Sequence, residues 1–383
     1  MINYGKQSID EHDINAVIDT LNSDWLTQGP KVYEFEEALA DYCGSQYAVA
    51  VCNGTAALHL ANLAIGKAKN NVITTPITFL ATSNSVLYSG GKPVFADISQ
   101  GVFTLDPEKV KELAGEDIDC KGIIPVHLGG VICNMESLKV VADEHNLWII
   151  EDACHALGGK WKDIEGIQHR VGDCSHSDMT VFSFHPVKQI TTGEGGAITT
   201  NNQELYEILL MLRTHGMTKD PEKLMENHGG WYYEMHELGY NYRMTDLQAA
   251  LGTEQLKKNN EWVNKRRKLV QQYDDAFENI NKITPQTHPD SDSGYSYHLY
   301  IIQCERRAEL YQYLKDNGVN TQVHYIPVHL QPYYKEKYGY GQGDFPVAEK
   351  YYDGALSLPL YPTLKDSEQE KVISLVKKFY EKN

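Results

Sequence analysis

Between residues 46 and 200 the chain alternates short apolar, β-branched runs with longer stretches of helical periodicity. Few folds are open to such a chain. Extended runs separated by enough residues for a helix are joined in parallel by crossovers, which gives an α/β sheet covered by helices. The candidate strands are YAVAV (47–51), NVITT (71–75), KPVFAD (92–97), GIIPV (122–126), LWIIED (147–152), TVFSF (180–184) and GGAITT (195–200). Together they predict a single large, mostly parallel seven-stranded sheet. Helices are expected from Thr55, from Thr78 or Phe79, from Asp106 and from about Met135, because each start has a capping residue or follows a turn.

The pattern changes after NNQELYEILLMLRTHG (201–216). Residues 217–246, polar, aromatic and glycine-containing, read as an irregular excursion, and a long helix then starts at about Thr245. That helix bridges into a smaller α+β part with a strand in YSYHLYIIQC (295–304), a helix over 307–317 and a closing helix in SEQEKVISLVKKFYEK (367–382). The expected division is 1–245 for an N-terminal loop and large domain, and 246–383 for the bridging helix and small domain.

Fifty-two acidic residues against 35 basic ones give a formal charge of −17, which argues against a nucleic-acid surface and against docking on an anionic membrane. An anionic ligand must then be held by a local site. MINYGKQSID has no basic-then-apolar leader pattern, and no run approaches the ~20 apolar residues of a membrane span, so a cytoplasmic protein is expected. Seven scattered cysteines without a Cys-x-x-Cys pair suit free thiols. The nearest metal-like spacing, His324 and His329 in HYIPVH, is interrupted by Pro327, and no metal site is expected.

In an open α/β sheet, ligands collect beyond the carboxyl ends of the strands. Four features fall there. Asn53-Gly54-Thr55 follows the first strand and opens a helix, a place for an anion, although this motif by itself reads more readily with Gly54 as a turn residue. Phe79, past the second strand, could cover a planar ligand or simply join the core. LWIIED ends on Glu151 and Asp152, with His155 three residues on; neighbouring strand residues point to opposite faces, so one carboxylate is expected to enter a site. Lys188 follows TVFSF with Ser183, ahead of a glycine-rich return. A lysine becomes a nucleophile where its ammonium is disfavoured, and the free amine can then form a Schiff base. An anion cradle, a stacking ring, a deep carboxylate and such a lysine are together what pyridoxal phosphate requires.

In LTQGP (26–30), NGTAALHLA (53–61), TTPITFLATSNSV (74–86), EDACHALG (151–158), FSFHPVKQITTGEGG (182–196), THGM (214–217) and LGYNYRMTDLQAALG (238–252), the chain resembles the DegT/DnrJ/EryC1/StrS family of sugar aminotransferases. The resemblance implies fold type I of the pyridoxal phosphate enzymes, the aspartate aminotransferase type, with pyridoxamine phosphate as the intermediate cofactor form. It implies that Lys188 tethers the cofactor and moves protons, that Asp152 pairs with the pyridinium nitrogen, and that His155 lies close to the ring. Phe79 would stack on the ring, and Gly54, Thr55 and Ser183 would bind phosphate. Asn241 and Arg243 would reach the phosphate or substrate of the neighbouring subunit, which makes the expected unit a homodimer with shared active sites. Thr27, Gln28, His185, His324 and Tyr325 would lie near a nucleotide sugar. THGM, residues 231–246 and QVHYIPVHLQPYY are most similar to the branch of pseudaminic acid synthesis, which aminates C4 of a UDP-linked 4-keto-6-deoxy-N-acetyl sugar, with L-glutamate as the implied donor. VHLGG (126–130) differs from the family's usual His-Leu-Tyr-Gly and lacks that tyrosine hydroxyl. A branch of the family that removes a sugar hydroxyl has histidine in place of the lysine; Lys188 therefore points to amino transfer.

Overall fold

The computed structural model describes residues 1–66, 70–116, 119–287 and 294–381. The strands of the main sheet are β1 (Tyr47–Val51), β2 (Asn71–Thr74), β3 (Lys92–Phe95), β4 (Cys120–Ile124), β5 (Trp148–Asp152), β6 (Met179–Ser183) and β7 (Gly196–Thr200). Their order is β1-β7-β6-β5-β4-β2-β3, and only β7 runs antiparallel to its neighbours. Both faces are buried, and side chains alternate between them with period two. Ala48, Ala50, Ile123, Ile149 and Phe182 pack on one side with Phe35, Leu39 and Leu138; Val49, Val51, Ile124, Ile150 and Val181 pack on the other with Leu58, Leu60 and Leu209.

Four strands stop short of their expected ends: β3 at Phe95 and not Asp97, β6 at Ser183 and not Phe184, and two more beside a proline. The run expected over 122–126 forms its ladder over Cys120–Ile124, because Pro125 has no N–H to give. The run expected to Thr75 stops at Thr74, and Pro76 just beyond it has no N–H with which to extend the ladder.

The first eight helices are α1 (Glu11–Leu21), α2 (Pro30–Cys43), α3 (Gly54–Gly66), α4 (Leu80–Tyr88), α5 (Pro107–Gly115), α6 (Met135–His145), α7 (Gln203–Arg213) and α8 (Asp246–Phe277). In GTAALHLANLAIG, only His59, Asn62 and Thr55 are polar, and α3 is correspondingly buried on most of its surface, with Asn62 satisfied by the Leu58 carbonyl and Ser85 Oγ. This fixes the α3 N-terminus at the carboxyl end of β1.

A capping box starts α8: Thr245 Oγ1 accepts from Gln248 N, and the Gln248 side chain returns to Thr245 N. At 32 residues it is about 48 Å long. Its first half packs on α1 and α2, while Leu269, Val270, Tyr273 and Phe277 enter a second core with β8 (Ile283–Pro285), β9 (Tyr300–Cys304) and β10 (Ala355–Leu358). Ile2 joins that second core through a bridge to Val319. The remaining helices are α9 (Arg307–Asp316), α10 (Pro332–Tyr338), α11 (Pro346–Gly354) and α12 (Asp366–Glu381).

The strand expected over 295–304 forms only over Tyr300–Cys304. Its first residues are drawn onto the large sheet's loops instead: Ser296 Oγ donates to the His155 carbonyl at 3.0 Å, and Leu299 N to the Gly129 carbonyl at 3.1 Å. Among the described residues no helix is long and apolar enough to cross a membrane.

Candidate active site

A cavity of about 640 Å³ opens beyond the carboxyl ends of β1, β5 and β6, lined by Asn53, Gly54, Thr55, Phe79, Asp152, His155, Ser183, His185 and Lys188. The wall on the other side comes from C-terminal residues, among them His298, His324 and Tyr325. The volume suits a small-molecule ligand, and the location is the one expected for an open α/β sheet.

At the β1 end, Asn53 caps α3: its Oδ1 accepts from Ala56 N at 2.8 Å and its carbonyl from Ala57 N at 3.1 Å. The N–H groups of Gly54 and Thr55 have no partner among the described residues and stand at the positive end of the helix. A Cβ on Gly54 would lie 2.9 Å from the Ser183 Cβ, so glycine is what lets β6 and the helix start lie this close. Gly196 plays the same part from below, where a Cβ would lie 2.5 Å from the Asn53 carbonyl carbon.

At the end of β5 the two carboxylates separate. Glu151 turns away from the cavity, accepting from Thr180 Oγ1 at 2.9 Å, from Ser177 Oγ, and from His127 Nε2 at 2.8 Å. His127 Nδ1 accepts from Cys133 N, so the ring proton sits on Nε2, facing Glu151. Asp152 lines the cavity. Its Oδ2 accepts from Thr82 Oγ1 at 2.6 Å and its Oδ1 from Cys154 N at 3.2 Å, and it forms no ion pair among the described residues. With its hydroxyl proton committed to Asp152, Thr82 must accept from Thr78, 2.6 Å away. A buried carboxylate held by neutral donors alone is ready for a cation brought by a ligand.

His155, 5% exposed, accepts from Gly129 N at Nδ1 (3.2 Å), which leaves its proton on Nε2, 3.2 Å from the Tyr325 hydroxyl. Burial, reinforced by Lys188, holds its pKa well below the ordinary value, so the ring is neutral. The Gly129 N–H is aimed by a left-handed backbone, φ 69°, and at Gly130, φ 94°, a Cβ would meet the Tyr297 backbone at 2.8 Å. The second glycine of VHLGG is thus a requirement of the fold here.

Lys188 is half-buried, with its main-chain N–H held by the His185 carbonyl at 2.9 Å. Burial pulls its pKa down from the ordinary value, against an upward pull from Cys154 and Asp152, and its Nζ has no hydrogen-bond or ion-pair partner among the described residues. Phe79 is 59% exposed at the cavity rim, its ring 6.1 Å from that of Tyr325. His324 Nδ1 is anchored to Ser357 Oγ at 2.8 Å.

The structure thus brings Lys188, Asp152, His155, Gly54, Thr55, Phe79, Ser183, His185, His324 and Tyr325 into one cavity. Thr27, Gln28, Asn241 and Arg243 do not line it. Thr27 bridges Thr245, Asn241 bridges Thr214 and Arg243 bridges Val51, and Thr27, Gln28 and Asn241 are exposed. Sequence reasoning missed Tyr4, Thr82, Cys154, Glu194 and His298. Thr82 had a signal, one helical turn after Phe79 and on its face; His298 had none.

The donor set fits a phosphorylated pyridine aldehyde: unpartnered helix-end amides for a phosphate, a cation-free buried carboxylate for a ring N–H, a deprotonable amine for the aldehyde and an uncovered phenyl ring for its face. A sheet of this order with that cavity at its carboxyl edge defines a fold type I transferase. Comparison with known proteins narrows the class: the chain belongs to the DegT/DnrJ/EryC1/StrS aminotransferase family, whose model matches residues 7–377. It is 38% identical over 394 residues to the UDP-4-amino-4,6-dideoxy-N-acetyl-beta-L-altrosamine transaminase of Campylobacter jejuni, covering 99% of this chain and 100% of that one. Among solved structures it is similar to PseC of Helicobacter pylori, an aminotransferase involved in the biosynthesis of pseudaminic acid (TM-score 0.90, 32% identity, 100% of both chains). It is also similar to the putative sugar aminotransferase Spr1654 of Streptococcus pneumoniae in its PMP form (TM-score 0.92, 31% identity, 100% of both chains).

Proposed function

We propose that this protein is a transaminase that moves an amino group from L-glutamate to C4 of a UDP-linked 4-keto-6-deoxy-N-acetylhexosamine, working in the cytoplasm as a homodimer with shared active sites. The aminotransferase class, pyridoxal phosphate as cofactor and a nucleotide sugar as substrate follow from the family and its members. The C4 position and the UDP-sugar rest on the Campylobacter relative and the Helicobacter structure, whose names carry altrosamine and pseudaminic acid chemistry. The observation that carries the mechanism is Lys188: an amine with a lowered pKa and, among the described residues, no hydrogen-bond or ion-pair partner, in the cavity that also holds Asp152.

When bound, pyridoxal phosphate supplies an electron sink next to the donor's α-carbon. Lys188 Nζ would hold the cofactor and would serve as the base and acid that moves a proton from the donor's α-carbon. Asp152, braced by Thr82 and the Cys154 N–H, holds a proton on the ring nitrogen and keeps the ring electron-poor. Gly54, Thr55 and Ser183 would take the phosphate, the neutral His155 would lie beside the ring, and Phe79 would cover its face. His185, His324 and Tyr325 stand where a sugar would approach. Thr27, Gln28, Asn241 and Arg243 would complete the partner's cavity. Trp25, Leu26, Trp231, Met235 and Leu238, all more than two-fifths exposed, flank those segments and favour a second copy as their cover.

The test is the visible spectrum of the purified protein before and after L-glutamate, together with turnover on a panel of UDP- and dTDP-linked ketosugars. A yellow band that bleaches with glutamate, and product only from the UDP-4-keto-6-deoxy-N-acetyl sugar, is the expected result. Lys188→Arg keeps the charge but cannot tether the cofactor, and is expected to remain folded without multiple turnovers. Sustained turnover in that variant would overturn the mechanism.

A further inference from the structure

His298 lies in the arm that leads into β9, on the C-terminal wall of the cavity, 4% exposed. Its ring centroid is 4.5 Å from that of His155, with the planes at 42°. The main chain is held firmly, since its carbonyl accepts from Arg266 Nη1 at 3.2 Å. The ring is not: Nδ1 is enclosed without a hydrogen-bond partner, and no described residue bonds Nε2. The other two buried cavity histidines are anchored, His155 by Gly129 and Tyr325 and His324 by Ser357. A neutral imidazole carries one donor and one acceptor, and buried polar edges are kept unpaired only at a cost.

The surroundings say what kind of group would relieve that cost. The groups acting most strongly on His298 are His155, Lys188, Arg266 and His324; Lys188 and Arg266 are the two of these that carry positive charge when protonated, burial keeps the two imidazoles neutral, and Asp152 lines the same cavity. A corner of this kind favours an anionic oxygen. Two anions enter this site on the reading above, the phosphate of the cofactor and the α-carboxylate of the amino donor. The unpaired amides at the α3 N-terminus, with Ser183, already form a cradle for the first at the ends of β1 and β6.

Resting on that reading, we propose that His298 contacts the amino donor, its Nε2–H donating to the donor's α-carboxylate. Holoprotein is titrated with L-glutamate while the cofactor band is followed, in the wild type, His298→Leu and His298→Gln; the affinity of each apoprotein for pyridoxal phosphate is measured in parallel. Bleaching of the wild type tests the aminotransferase reading without reference to residue 298, so the two ideas fail separately. In His298→Leu the glutamate concentration for half-bleaching is expected to rise about tenfold or more, the order of one lost bond to a charged acceptor, with cofactor affinity unchanged. Gln, which can present an N–H near the place of Nε2, is expected to recover part of the loss. Should the leucine variant not fold, Gln is compared with Asn, whose amide sits near Nδ1; the proposal requires Asn to respond to glutamate more weakly than Gln. Weakened cofactor binding with an unchanged glutamate response would overturn the carboxylate assignment in favour of the phosphate. An unchanged response in both titrations would remove His298 from the ligand contacts altogether.

Discussion

Two adjacent carboxylates at the end of β5 have opposite tasks, and the alternation of a strand assigns them. Asp152 faces the cavity, whereas Glu151 is enclosed with three donors. Burial pushes the Glu151 pKa up, but the His127 ring, Ser177 and Thr180 outweigh it and hold the group below the ordinary glutamate value of 4.5. Because the folded value is depressed, the stability Glu151 contributes is present above pH ~4.5 and is lost as the pH falls through the folded value. Glu151→Gln sets an NH2 against donors, and is expected to cost about 1–3 kcal/mol at pH 7. Urea melts of both proteins from pH 7 down to about pH 3 check this: the gap should hold to about pH 4.5 and narrow below it, and a gap unchanged across the whole range would contradict it. Lys188 and Asp152 were legible in the sequence because chemistry-bearing residues at strand ends are conspicuous. Thr82 and His298 were less so, since what makes them matter is contact with Asp152 and His155 from distant parts of the chain.

Among the elements, α3 and β7 build the anion cradle together. The helix start is aimed by the burial of α3, and β7 can pass beneath it only as glycine. At Gly196 a Cβ would meet Asn53 O at 2.6 Å and Gly54 N at 2.7 Å, backbone atoms that cannot rotate away. Gly196→Ala must therefore displace the helix start. The expected cost is on the order of 1–3 kcal/mol in stability, and cofactor affinity should fall by about tenfold if the displacement reaches the amides of Gly54 and Thr55. Thermal melts of the apoprotein and titration with pyridoxal phosphate separate the two effects; wild-type affinity would show that the cradle does not depend on this contact. The glycines of TTGEGG read from sequence as a turn-rich return, which is correct for Gly193 with φ 81° but misses the steric role of Gly196.

At the scale of the whole molecule, four residues expected at the site lie outside the cavity of their own chain, and large apolar side chains stand exposed beside them: Trp231 at 75% and Leu238 at 76%. Exposed apolar side chains next to displaced site residues are what a two-fold dimer would cover. Sedimentation is expected to give twice the chain mass, and Leu238→Glu a folded monomer with little or no turnover. A monomeric wild type with full activity would show that each cavity is complete in one chain. The long α8 carries the geometry between the two cores, its capped start on the large sheet's side and Phe277 among the C-terminal strands.

The sequence by itself determined the alternating sheet, the positions of its strands to within a few residues, and the lysine, carboxylate and glycine chemistry at their ends, because these depend on short-range periodicity and on residue type. The tertiary structure decided which of two neighbouring carboxylates faces the ligand, which hydroxyl braces it, and which histidine is left with an unpaired ring. It also decided where the arm before β9 leaves its expected strand to close the cavity. Each of those outcomes is set by contact between segments far apart in the chain, where burial and the need to satisfy polar groups outweigh local preference.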